Sequence, residues 1–268
     1  RKGDVGEVVK NQGDSLKKIG LEVDYFTIKP GIKGYFLSIC KIRNVFKNGK
    51  YDLIHAHYSF SAFAASLAGN FPLIVSLMGS DAYMSGFWRA MAWLFYCLRW
   101  DATIVKTQKM KEILKMKKAY VIPNGVDTER FKPIDKKVAL EKIGYKKNKK
   151  LIIFVADPAR HEKNYALALE SVKLLNRNDV ELLTVFNVSN KMIPYYMNAA
   201  NVLLMTSKWE GSVNVIKEAM ACNLPIVSTD VGDVKKNISE IKGCYITKND
   251  PVDISKKLSQ VISYEMKT

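Results

Sequence analysis

Histidine is scarce, three in 268 residues, and no pair of the four cysteines, Cys40, Cys97, Cys222 and Cys244, has metal-ligand spacing. A His/Cys metal centre is therefore not expected, and no residue is nominated as a metal ligand. The cysteines sit inside apolar segments of a chain too large to need a disulfide framework, which fits a reduced, cytoplasmic setting. No Gly-x-Gly-x-x-Gly turn follows a strand-like run, which argues against a nicotinamide-dependent dehydrogenase. The longest apolar run, Phe87 to Trp100, is interrupted by Arg89 and Arg99 and is too short for a membrane span. The sequence opens on Arg1-Lys2-Gly3-Asp4 without a signal-peptide pattern, so neither leader nor anchor is expected.

Carboxylates are also few against cations, but only in one half. Residues 1–150 hold 28 Lys/Arg against 13 Asp/Glu, whereas residues 151–268 hold 14 against 13. Essentially all of the net +16 is N-terminal. A basic surface facing an anionic partner and a merely lysine-rich solvated surface both fit this asymmetry. No nucleic-acid-binding motif accompanies the charge, and no nucleic-acid partner is expected.

Short β-rich apolar runs alternate with helical patterns. Candidate strands are 21–28, 51–57, 72–78, 102–105 and 120–122, then 151–156, 180–186, 202–205, 225–228 and 244–246. Helical periodicity marks 5–20, 34–46, 62–67, 109–114, 164–175, 192–200, 215–221 and 252–262. Several strand runs are apolar throughout, as strands covered on both faces are. The alternation predicts an α/β fold with parallel sheets in two Rossmann-like domains facing across a cleft. The expected divisions are an N-terminal domain over 1–132, a Pro- and Lys-containing linker over 133–150, and a C-terminal domain over 151–268.

The segment from Thr206 to Cys222 carries the most chemistry. It leaves a strand, turns through Gly211 and Ser212, and opens a helix. Backbone N–H groups at such a helix start suit a diphosphate. The two carboxylates, Glu210 and Glu218, are suited instead to accepting hydrogen bonds from sugar and ribose hydroxyls.

Two glutamates with seven residues between them, in Trp209-Glu210-Gly211 through Glu218-Ala219-Met220-Ala221, resemble the signature of the retaining glycosyltransferase family 4. So do Asn223-Leu224-Pro225-Ile226-Val227-Ser228-Thr229-Asp230-Val231-Gly232-Asp233, Ile122-Pro123-Asn124-Gly125-Val126-Asp127, Tyr51-Asp52-Leu53-Ile54-His55-Ala56-His57 and Gly79-Ser80-Asp81. The resemblance implies a GT-B fold, retention of anomeric configuration, no cofactor and no obligatory metal. It implies a nucleotide-sugar donor, UDP- or GDP-linked, and a glycan or lipid-linked acceptor. By this likeness the C-terminal domain holds the donor and the N-terminal domain the acceptor. Glu210, Lys163 and Arg160 would act on the reacting groups, Lys163 and Arg160 as fixed cations for the leaving diphosphate. Glu218 would hold the ribose, with Gly211, Ser212, Val213, Asn214, Val215 and Asn187 around the donor. Gly79, Ser80, Asp81 and His57 would lie on the acceptor side.

The chain departs from that pattern in three places. The first strand and its Gly-rich loop are expected to be missing from the N-terminal domain. Met78 stands where many members have histidine, and Asp157 where an arginine is common. A truncated, catalytically weak or silent GT-B protein that only binds nucleotide or a partner is the alternative function. His55 and His57 are expected to point one to the core and one to the cleft. The helix around 84–100 reads either as a buried core helix or as an interfacial helix in reversible contact with an anionic membrane at the inner face of the cell.

Overall fold

The computed structural model describes residues 5–263, which divide into two compact units between Asn124 and Gly125. Each carries one parallel sheet, so the expected α/β architecture is present in both.

In the first unit the sheet runs in the order β1 (Ile54–His57), β2 (Leu73–Ser76), β3 (Ala102–Val105), β4 (Tyr120–Val121). Every pairing is parallel, with Ile54 opposite Leu73 and Ile74 opposite Ala102. Helix α1 (Glu7–Lys18) opens the unit; α3 (Ser59–Ala68) and α5 (Gln108–Ile113) pack on the sheet, and α2 (Ile32–Asn48) and α4 (Gly86–Leu98) pack on α3. Helix α3 buries Ala62 and Ala65 in the core it shares with the sheet, and Ala64 and Ala68 against α2. Thr107 caps α5, accepting from the Met110 amide at 3.1 Å.

Two expectations for this unit change. Residues 21–28 form no strand; Leu21 and Phe26 are exposed, so the apolar run has no sheet to bury it. Helix α4 is not a buried core helix. Only Ala92 is buried on it, while Phe87 and Trp93 stay 65% and 47% exposed. Partly buried Met91, Phe95 and Tyr96 pack on the core beside Ala92.

The second unit orders its strands β6 (Val180–Thr184), β5 (Lys150–Phe154), β7 (Val202–Met205), β8 (Ile226–Thr229), β9 (Tyr245–Thr247). The chain adds β6 on one side of β5 and then crosses back to add β7 on the other, which places a topological switch at the carboxyl ends of β5 and β7. Strands β7 and β8 are buried at every position, as expected of strands covered on both faces. One face packs under α6 (Lys136–Lys142), α8 (Ile193–Ala199), α9 (Asn214–Ala221) and α10 (Val234–Ile238). The other packs under α7 (Tyr165–Lys173) and α11 (Pro251–Ser263).

Residues 133–150, expected as a connection, pack with this unit. Ala139 on α6 and the preceding Phe131 are buried in its core. The Ile134 amide donates to Asn198 at 2.8 Å, and Asp135 caps α6 through the Lys137 and Val138 amides. The amphipathic stretch between the lysine clusters had an apolar face to bury, and α8 covers it.

Candidate active site

In the second unit, three loops at the carboxyl ends of the strands are tied together by buried hydroxyls. Thr206, directly after β7, donates to the carbonyls of Lys163 and Asn164, each at 3.0 Å. Thr229, at the end of β8, donates to the Ser207 carbonyl at 2.8 Å. The Lys208 amide donates to the Glu162 carbonyl at 2.8 Å. Backbone in this crowded region thus has defined partners, and the side chains it projects are held in place.

Those ties bring Lys163 and Glu210 together. Lys163 Nζ lies 2.5 Å from Glu210 Oε1, and Ser207 Oγ donates to the same oxygen at 2.9 Å. Both charged side chains are mostly shielded, at 16% and 19% exposure. Lys163 lines a small recess with Phe154, Ala156, Ser207 and Val215 at the switch between β5 and β7. His161 is exposed, with Lys208 Nζ 2.7 Å from its Nε2 and the Trp209 ring 6.3 Å away.

Arg160 is not part of that pair. Its guanidinium is half exposed and grips Glu162, two residues along, through both Nε and Nη2.

The lead-in to α9 is fixed by a residue that the sequence reading did not single out. Asp233 accepts from the Val213 amide at 2.8 Å and from Ser212 Oγ at 2.9 Å, and Lys217 Nζ sits 3.1 Å from it. The Val213 amide is therefore committed to Asp233 and is not aimed at a ligand. Gly232 lets this loop sit where it does: its φ is +59°, and a Cβ there would lie 2.1 Å from the Gly211 carbonyl oxygen. Asn214 and Val215 form the first turn of α9, half-buried.

Glu218 lies on α9 one turn further on. Burial pushes its carboxyl up to about 7, while the positive charge of Arg130 pulls in the opposite direction. Arg130 reaches in from the segment before α6, donating through Nη2 to the Asn190 carbonyl at 2.9 Å and stacking 4.9 Å over Phe131. Its buried Nε has no partner among the described residues. The signal for Arg130 was its place beside the Asn124-Gly125-Val126-Asp127 block. Asn187 lies on the exposed loop after β6 with φ +56°.

The first unit positions its nominated residues differently. Gly79 and Ser80 open a 3-10 turn at the end of β2, with Ser80 exposed. Asp81 is wholly buried: it accepts from the Ser59 amide at 3.1 Å, Ser59 Oγ at 2.6 Å and the Met78 amide at 2.6 Å. It clamps the β1–α3 turn to the end of β2, and burial raises its carboxyl above the usual range. His55 and His57 do not point to opposite sides. Residues two apart on a strand share a face, and the two rings stack with centroids 4.5 Å apart. His55 Nε2 lies 2.9 Å from Ser76 Oγ, whereas the buried His57 Nδ1 has no partner among the described residues. Burial lowers His55 to about 4 and His57 to about 3, with Lys106 lowering both further.

Among the described residues no cluster of three or more His, Cys, Asp or Glu is placed to hold a metal ion.

Comparison with known proteins points the same way in both units. Residues 8–130 match the model for Glycosyltransferase Family 4, and residues 186–264 match that for Glycosyl transferases group 1. The chain is 29% identical over 260 residues to an Escherichia coli UDP-Gal:alpha-D-GlcNAc-diphosphoundecaprenol alpha-1,3-galactosyltransferase, covering 80% of this chain and 67% of that protein. It is 25% identical to a Bacillus subtilis glycosyltransferase, TuaC, named for teichuronic acid biosynthesis, of which it spans 54%. Its fold superposes on sucrose-phosphate synthase from Thermosynechococcus elongatus with a TM-score of 0.74, 15% identity and coverage of 98% of this chain and 86% of that one. Anabaena HepE in complex with UDP and glucose gives a TM-score of 0.72 at 18% identity, covering 93% and 79%. The fold is thus the GT-B fold, and glycosyltransferase relatedness extends over both halves.

Proposed function

We propose that this chain, a glycosyltransferase by the matches of both its units, moves a sugar from a nucleotide-sugar donor to a glycan or lipid-linked acceptor with retention of anomeric configuration. The observation that carries the reading is the Lys163–Glu210–Ser207 cluster at the switch between β5 and β7. Ligands of open parallel sheets bind beyond the carboxyl ends of the strands at such a switch.

In this reading Lys163 stabilises the charge that develops as the bond between the sugar's anomeric carbon and the diphosphate breaks. Glu210 accepts hydrogen bonds from the donor sugar, and Glu218 accepts from the ribose diol beside Arg130. The acceptor oxygen bonds to the anomeric carbon on the face the diphosphate leaves. The acceptor's proton passes to a departing phosphate oxygen, so no side-chain nucleophile takes part. Arg160 and Asn187 line the outer edge of the donor site, with Gly211 to Val215 framing it. Gly79, Ser80 and His57 belong to the acceptor side, where Asp81 acts by holding the turn that carries them.

UDP is the nucleotide to try first, because the Anabaena neighbour holds UDP and the Escherichia coli relative is named for UDP-galactose. That relative's name also favours a diphosphate-linked lipid as acceptor. Calorimetric titration with UDP and GDP tests the donor site: one of them should bind, and Glu218→Ala should weaken it about tenfold or more, the scale of a charged hydrogen bond lost. Absence of binding by both nucleotides would remove the reading. Nucleoside diphosphate release that requires acceptor then separates a transferase from a silent binder.

A further inference from the structure

We propose that Arg130 is a second ribose-binding residue of the donor site, its Nε–H donating to the same ribose hydroxyl whose own proton goes to Glu218. This contact rests on the reading of Glu218 as the carboxylate that takes the ribose diol, and it adds a cation outside the two-glutamate motif.

The guanidinium is held from both ends. Phe131, the next residue, is buried in the core cluster that includes Ile216 and Ala219 of α9. At the tip, Nη2 donates to the Asn190 carbonyl at 2.9 Å, in the turn that leads into α8. The guanidinium carbon also lies 4.9 Å over the Phe131 ring. A side chain fixed in this way has little rotamer freedom left to lose when a ligand binds. Asn190 belongs to the same β6–α8 connection as Asn187, one of the residues nominated for the donor.

One donor of this anchored group is left over. Nε is buried and has no acceptor among the described residues. Folded proteins retain few such N–H groups, because an unmet buried donor costs as much as a lost hydrogen bond.

Glu218 has the complementary deficit. Its carboxyl is set by burial and by the charge of Arg130, without a hydrogen bond from the described residues. Nor does an ion pair join the two among the described residues, so Arg130 acts on Glu218 through its field alone. The chemistry of the pair selects the ligand group. A phosphate oxygen accepts from Nε–H but is repelled by a carboxylate, whereas a hydroxyl donates to the carboxylate and accepts from the N–H at once. A sugar hydroxyl therefore completes both side chains.

Calorimetric titration of the whole chain with UDP, 2′-deoxy-UDP and 3′-deoxy-UDP tests the contact, with the GDP set used if GDP is the nucleotide that binds. Arg130→Met keeps an unbranched stem over Phe131. It should weaken UDP about tenfold and leave one of the deoxy forms nearly unchanged, so that the preference for the full ribose falls about tenfold. Arg130→Lys keeps the charge without the Nε–H and should lose about threefold of that preference. If Arg130→Met does not fold, Arg130→Lys decides by itself. Equal weakening of all three nucleotides, the mark of a merely structural tie to Asn190, overturns the proposal. So does a ribose preference that is unaltered in the variants or absent from the wild type. Failure of the wild type to bind either full nucleotide removes the donor reading and the contact with it, whereas normal wild-type binding with unaltered preference in the variants removes the Arg130 contact alone.

Discussion

Lys163 Nζ and Glu210 Oε1 meet at 2.5 Å although 47 residues separate them in the chain. One residue follows β5 and the other β7, and the hydroxyl of Thr206 binds the backbone carbonyl of Lys163. The pair is therefore a product of the sheet's winding, held by ties that do not involve the charges themselves.

This arrangement makes a kinetic prediction. Lys163→Ala should lower kcat for nucleoside diphosphate release by about 10²–10³, the usual effect of removing one fixed group that meets developing charge. Glu210→Gln should reduce turnover as well, while the fold stays intact because Thr206 and Thr229 still hold the loops. Lys163→Arg should recover only part of the loss, since a planar fork does not reproduce a point charge. If Lys163→Ala turns over at the wild-type rate, Lys163 has no part in the chemistry.

Glu218 gives a pH prediction with two readouts. Burial sets its carboxyl at about 7 in the folded protein, above the ordinary 4.5. Between those values the folded state holds a proton that the unfolded state releases, so the contribution of this group to stability falls as pH rises through that window. Donor binding moves the other way, because a ribose diol needs the ionised carboxylate as acceptor. Nucleotide affinity should rise from pH 6 to pH 8 in the wild type and stay flat in Glu218→Gln. Urea midpoints should show the variant gaining on the wild type over the same interval.

Much of this was legible in the chain. Apolar runs at 202–205 and 225–228 and the alternation of periods gave the parallel sheets, because a strand covered on both faces has little freedom of composition. Glu210, Glu218 and Lys163 came from family resemblance, and the structure places Glu210 and Lys163 in contact. Several features needed three dimensions. Residues 21–28 look like a strand locally but pair with no strand of the sheet. Asp81 carries a polar side chain in a motif block, yet its oxygens are all engaged by Ser59 and Met78. Asp233 gives no local hint of its grip on the α9 lead-in, since its partners Ser212 and Val213 lie about twenty residues away. The stacking of His55 on His57 followed from strand periodicity alone, and the expectation that they diverge misapplied it.

Gly232 tests whether the α9 lead-in must lie where it does. Any side chain there meets a backbone oxygen, and the left-handed φ alone costs about 1–2 kcal/mol for an L-residue. Gly232→Ala should lose at least that much in urea unfolding, more if the Gly211 carbonyl cannot withdraw. Nucleotide affinity should fall with it, because a shift at Gly211 carries the loop around Glu210. A variant as stable as the wild type with unchanged affinity would mean that the loop is free to relax.

The stacked histidines predict an acid sensitivity of the opposite sign to that of Glu218. Both rings are held neutral by burial, His55 at about 4 and His57 at about 3, against an ordinary value of 6.5. As pH drops from about 6.5 toward 4 the unfolded chain takes up protons that the folded rings refuse, so stability is lost across that interval. His57→Gln removes one such group, and should flatten the decline. Urea midpoints measured at pH 7 and pH 5 give the slope for each protein, and subtracting the variant's slope isolates the histidine from other titrating groups. Equal slopes would mean that His57 accepts a proton in the folded state, and its unpartnered Nδ1 would then be reachable by solvent.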